Sequence, residues 1–194
     1  MSARKRHSKP VAAIVCLAAG LTVTGCGGET ADTAHGKTFQ NDVISFTYPG
    51  NWKITEDQKL EYPYYTTVEN SGNAVTIVFT LEAGDDVGLQ EFVGRYIDFF
   101  SAEMDKKYAW EAGESTVSAV ASRADFQTVT ERFVLKKLNA ASPHTRYYRR
   151  KASPDYICYV VSQAPDAELS LADPGFDQIV ETLAVARRRP HGVD

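Results

Sequence analysis

Cysteine, histidine and methionine are scarce in this chain: three, four and two residues out of 194. No two histidines stand at metal-ligand spacing, which argues against a zinc site. The chain has no G-x-S-x-G elbow, no phosphate-binding glycine loop and no dinucleotide fingerprint. No cofactor is therefore expected. Basic residues are outnumbered, 21 against 25 acidic, which argues against nucleic acid as a partner. The longest apolar stretch also falls short of the roughly 20 residues that a membrane-spanning helix needs.

That stretch, 11–23, follows Arg4, Lys5, Arg6 and Lys9 and leads into Val23-Thr24-Gly25-Cys26. A basic start, a short apolar run and a small-residue end have the layout of an export signal, with a permanent transmembrane anchor as the alternative. The final tetrapeptide resembles the bacterial lipobox, in which the cysteine thiol is alkylated by a diacylglyceryl group before cleavage. On that reading 1–25 is a cleaved lipoprotein signal peptide and Cys26 is the acylated first residue of the mature chain. Two or three acyl chains hold far more firmly than the marginal single chain, so the expected location is the extracytoplasmic face of a cell membrane. Removal of the leader leaves 169 residues with 17 basic against 25 acidic, a formal charge of −8.

Cys16 leaves with the leader and Cys26 is taken by lipid, so Cys158 has no partner for a disulfide. It lies in the strand-like run Tyr156-Ile157-Cys158-Tyr159-Val160-Val161 and reads as a buried structural thiol rather than a nucleophile. Residues 26–38 are small and polar and read as a lipid anchor with a flexible tether. Residues 39–186 make one globular domain, and Arg187-Arg188-Arg189 opens a basic disordered tail over 187–194.

Within the domain, Ile44, Phe46 and Tyr48 alternate as a strand, and Pro49-Gly50-Asn51 turns the chain before Trp52 and Ile54 resume it. Val75, Ile77, Phe79 and Leu81 form the clearest period-two strand. Asn70-Ser71-Gly72-Asn73 pairs it as a hairpin with 65–69. Leu89, Phe92, Val93, Tyr96, Ile97 and Phe100 recur at helical spacing, with Asp85 and Asp86 as helix-start carboxylates or, alternatively, cation ligands. Strands are expected over 116–121, 125–138, 146–151 and 156–163. A last helix is expected with Asp173 as N-cap, Pro174 in its first position and Phe176, Ile179, Val180 and Leu183 as its buried stripe. This order implies an α+β fold, an antiparallel sheet flanked by helices as an αβα sandwich.

The segment from Asp42 to Ile54 is similar to the "SF-x-YP-x-x-W-x-V" opening of the PsbP-like and Mog1-like superfamily, carried by Phe46, Tyr48, Pro49 and Trp52. In overall plan, lipobox, short tether and then this domain, the chain resembles the actinobacterial lipoproteins of the LpqN type. The family's Gly-rich segment after the first long helix is missing, since 114–124 carries Ser and Ala instead. The resemblance implies a protein that binds or assists other components rather than turning over substrate.

Tyrosine and arginine are enriched where proteins recognise partners. Tyr62, Tyr64 and Tyr65 surround Pro63, and Tyr147 and Tyr148 adjoin Arg149 and Arg150. Strand alternation puts Tyr147 and Arg149 on one face and Tyr148 and Arg150 on the other. They form either a recognition surface or filling between sheet and helix. Three classes of function follow. The first is a non-enzymatic binding or accessory factor for an envelope protein or a lipophilic or glycan ligand. The second is an envelope hydrolase, which needs a cleft of convergent titratable groups. The third is a structural or signalling partner of a membrane protein.

Overall fold

Two apolar stripes run through the central strands, and each has its own cover. The computed structural model describes residues 28–58, 64–84, 87–108, 110–123, 125–138 and 140–186. The chain order is β1 (Lys37–Gln40), β2 (Ile44–Tyr48), β3 (Lys53–Gln58), β4 (Tyr64–Glu69), β5 (Val75–Glu82) and α1 (Leu89–Tyr108). Next come β6 (Glu111–Ala112), β7 (Thr116–Val117), β8 (Ala121–Arg123), β9 (Phe126–Lys137), β10 (Ala140–Ala152) and β11 (Tyr156–Pro165). Helix α2 (Leu169–Thr182) and β12 (Ala184–Val185) complete it.

The large sheet is antiparallel in the order β3-β4-β5-β11-β10-β9-β6, with β7 and β8 also on the outer edge of β9. A small sheet runs β1-β2-β12. Side chains alternate across the large sheet as strand geometry requires. Tyr65, Ile77, Phe79, Tyr159 and Val161 face α1, which answers with Val93, Tyr96 and Phe100. On the opposite face Val78, Cys158 and Val160 meet α2 and the small sheet, through Phe176, Ile179, Phe46 and Trp52. The α+β sandwich expected from the element order is the one observed, with the small sheet sharing the α2 layer.

Several boundaries differ from the sequence expectation. The Pro49–Trp52 turn does not return the chain to a paired strand: β2 belongs to the small sheet and β3 to the large one. The turn instead crosses between sheets while keeping Phe46 and Trp52 in one core. Helix α2 begins at Leu169 rather than after Asp173, Glu168 occupies the cap position without a side-chain cap bond, and Pro174 lies inside the helix. Packing outweighs the local proline signal, because the added first turn seats Leu169 and Ala172 on the core. The strand expected at 116–121 is two short pieces laid on β9.

The segment read as a flexible tether is docked over residues 28–38. Ala31 is 6% exposed and its N–H donates to the Leu171 carbonyl. The Asn51 side chain accepts from the Asp32 N–H at 2.9 Å and donates to the Thr30 carbonyl at 3.0 Å. Gln178 donates to the Thr33 carbonyl at 2.9 Å, and β1 begins at Lys37. Backbone hydrogen bonds to a fixed surface hold a segment whose composition alone gives it little to bury.

Candidate recognition surface

Phe46, Pro49 and Trp52 are buried and Tyr48 is half-buried, so the aromatic opening is packing chemistry. The Trp52 ring meets Phe176 edge-on at 5.6 Å. Two glycines permit this closeness. A Cβ on Gly175 would lie 2.8 Å from Pro49 and Trp52 atoms, and one on Gly50 would lie 2.4 Å from the His35 carbonyl oxygen. Gly50 thus lets the turn receive the docked N-terminal segment.

The six described residues of the seven read as a recognition surface do not form a single one. Tyr62 lies outside the described residues, as does Cys26. Tyr65 and Tyr148 are fully buried in the core beneath α1. Tyr64 is half-buried on β4, three strands from β10, about 14 Å at the usual strand spacing. Arg150 shares the α1 face of β10 and is half-buried in register with Tyr159. Tyr147 and Arg149 remain, side by side on the α2 face of the sheet.

These two meet a pair of helix carboxylates. Asp173 and Asp177, one turn apart on α2, lie over β10. Arg149 pairs with Asp177 at 3.1 Å, and its guanidinium stacks 4.9 Å from the Tyr147 ring centroid. The Tyr147 hydroxyl donates to Asp173. Burial, then the neighbouring Asp177 charge, holds the Asp173 carboxyl above its ordinary pKa. Burial and the Asp173 charge likewise raise Tyr147, and burial lowers Arg149 against the pull of Asp177. Arg149 Nη1 and Asp173 Oδ1 are buried without a hydrogen-bond partner. Both atoms are enclosed, and the part of the group that faces outward is Asp177, whose side chain is 55% exposed. Sequence reading missed both aspartates because Asp173 looked like a helix cap.

A second polar group, also missed, lies on the opposite face and is fully enclosed. Arg146 donates to Gln163 through Nε at 2.8 Å and Nη2 at 2.6 Å, and to Glu131 through Nη1 at 2.9 Å. The Tyr148 hydroxyl donates to the same Glu131 oxygen at 2.6 Å. The guanidinium is sandwiched 3.9 Å from the Phe100 ring centroid and 4.3 Å from that of Phe133. Tyr148, its pKa raised by burial, keeps the proton it donates. Arg146 stands opposite both Glu131 and Gln163 in register, a fact visible only once the strands are paired.

Cys158 and the buried His144 are held in packing. Burial pushes the Cys158 thiol up to about 11, and its neighbour is the Thr80 hydroxyl at 3.7 Å. His144 stacks on Phe133 and bonds through Nδ1 with the Ser142 backbone carbonyl, not its hydroxyl; burial lowers its pKa. Asp85 and Asp86 lie outside the described residues. Among the described residues no group of three potential metal ligands occurs, and no helix is long and apolar enough to cross a membrane.

No protein-family model matches the sequence, and no curated protein matches it. Solved structures do. The cyanobacterial PsbP protein of Synechocystis sp. PCC 6803, CyanoP, is similar with a TM-score of 0.52 at 12% identity, over 86% of this chain and 99% of that one. A crystal structure from Bacteroides thetaiotaomicron gives a TM-score of 0.50 at 10% identity, over 79% of this chain and 50% of that one. LpqN of Mycobacterium tuberculosis, a protein involved in cell envelope biogenesis, gives 0.44 at 12% identity over 78% and 91%. The large antiparallel sheet with its two helices is the PsbP-like fold, on the strength of CyanoP.

Proposed function

We propose that this protein is an extracytoplasmic lipoprotein, held to a membrane by a diacylglyceryl group on Cys26, that acts as a non-enzymatic accessory factor for an envelope component. The observation carrying the binding role is the grouping of Tyr147, Arg149, Asp173 and Asp177 on one face, with the Asp177 carboxylate exposed at its edge. A neighbouring aromatic ring, a guanidinium and two carboxylates suit a polar protein segment or a glycan. Cys158 and His144 are committed to the core, which fits binding better than turnover. The leader and lipobox supply the location.

The test is a photo-crosslinking residue at the exposed Asp177 position, in cells, in the full chain. The expected result is capture of one envelope protein or glycan, abolished by Arg149→Ala and absent when the crosslinker stands at Lys53 on the far sheet edge. Equal capture from both positions, or a hydrolytic activity that survives Arg149→Ala, overturns the binding reading.

A further inference from the structure

Leu138, at the tip of the β9–β10 hairpin, is 98% exposed and has φ +53°. A positive φ is strained for a bulky side chain, and glycine or asparagine would relieve it. Full exposure returns no packing within the molecule. Both burdens fall on one residue, at the end of the longest hairpin in the fold.

The register shows where this tip points. Val75 pairs with Gln163, and Pro165 pairs with His144. The β4–β5 turn, the start of α2 and the β9–β10 tip therefore lie at one end of the large sheet. The hairpin overshoots that end: β11 pairing stops at His144, while β9 and β10 continue to Lys137 and Ala140. At strand rise the overhang is about 15 Å. Gly28 lies at this same end, its Cβ position 3.3 Å from Glu168 and 3.7 Å from Asn70. Cys26 precedes Gly28 by two residues, which span at most about 7 Å of chain.

The tip is also locally basic in an acidic chain. Lys136 and Lys137 precede Leu138, Lys137 lies 5.5 Å from the Trp110 ring, and Lys106 is exposed near the end of α1. Glu111 stands opposite Lys136 in register, and Asp105 is exposed beside Lys106.

We infer that the β9–β10 tip is a membrane contact: Leu138 enters the interfacial layer of an anionic bilayer, Lys136 and Lys137 face lipid phosphates, and the docked segment 28–38 holds the domain in that pose. This rests on the Cys26 anchor for its geometry. An apolar residue flanked by cations at the end from which the anchored chain emerges is what a headgroup layer accommodates.

Two measurements test it. In the first, the full chain carrying Leu138→Cys is processed in a lipoprotein-competent host, isolated in membranes and labelled with a polarity-sensitive thiol probe; Pro154→Cys, in the turn at the opposite end, is the control. A blue shift with quenching by lipid-borne quenchers at position 138 alone supports the inference. A water-like signal at 138 in membrane-held protein overturns it and leaves the anchor reading intact. Capture of position 138 by a protein, without lipid quenching, overturns it in favour of a protein partner. The second measurement stands apart from the anchor: the mature chain without leader or lipid, residues 27–194, is mixed with phosphatidylcholine–phosphatidylglycerol vesicles. Binding that falls about tenfold in Leu138→Asp and in K136E/K137E supports the contact even if Cys26 proves unlipidated, and binding unchanged by either variant, or absent altogether, overturns it.

Discussion

Arg146 and Glu131 form an ion pair at 2.9 Å in which neither side chain is more than 2% exposed. Two enclosed charges are tolerable only because Gln163 and Tyr148 fill their remaining hydrogen-bonding positions. Removing one partner strands the other. Arg146→Met is expected to destabilise the fold by about 3–5 kcal/mol, and Glu131→Leu by a similar amount. The double variant should recover most of that loss, because the uncompensated charge is gone. Urea unfolding of the three variants measures the coupling, and simple additivity of the two losses would contradict this account.

Asp173 gives the fold a pH dependence of defined sign. Its carboxyl has a raised pKa in the folded state, from burial and then from Asp177, so the native state binds its proton more tightly than the unfolded chain does. Its contribution to stability is fully present below the ordinary carboxylate pKa and is lost as pH rises through the raised value. Asp173→Asn keeps an acceptor for Tyr147 and removes the titration. Thermal melts should show the variant gaining on the parent at pH 7 and matching it near pH 3. An equal difference at both pH values would refute the assignment.

The docked N-terminal segment makes Asn51 and Gly50 more than turn residues. Asn51→Ala removes two hydrogen bonds to residues 30 and 32 and should cost about 1–2 kcal/mol. Gly50→Ala drives a methyl group against the His35 carbonyl and should release the same segment. Limited proteolysis reads both: cleavage within 30–38 should be slow in the parent chain and fast in the variants. Rapid cleavage of the parent there would contradict the docking.

Cys158 should resist alkylation at pH 8 in the native protein and react once urea unfolds it, because its thiol is buried and titrates near 11. Peptide mass mapping after a brief iodoacetamide pulse distinguishes the two states. Prompt native labelling would show that this face of the sheet opens.

The anchor has its own test. Cys26→Ser is expected to release the chain from membranes or to stall it with its leader attached. Membrane fractionation and the size of the product report it, and unchanged attachment of a processed chain would remove the basis for the lipoprotein reading.

The parts of this fold legible in the sequence are those governed by local periodicity. The β4–β5 hairpin follows from Asn70 to Asn73, where the Asn70 side chain accepts from the Gly72 and Ala74 amides, and α1 follows from its apolar spacing. What stayed hidden depended on partners far along the chain. The start of α2 is set by Leu169 and Ala172 seating on the core, which local proline chemistry does not report. Arg146 reads as one of a run of basic strand residues until β9 and β11 are placed on either side of it. The docking of 28–38 rests on Asn51, Leu171 and Gln178, none of which lies near it in sequence. Of the six described candidate recognition residues, Tyr147 and Arg149 joined the carboxylates of α2, while Tyr148 joined the enclosed pair of Arg146 and Glu131 on the other face.

The position of β11 has a consequence for how the chain comes to be folded. It is the last strand of the large sheet to be made, yet it lies between β5 and β10, pairing Val78 with Val160, 82 positions further along the chain. Neither face of the sheet can close before residues 156–165 arrive, and contacts of such long sequence separation form slowly. A chain threaded N-terminus first through an export channel would keep its central gap open until nearly all of it had crossed. On the export reading proposed above, this topology would delay folding and so keep the polypeptide in a form that can still be threaded.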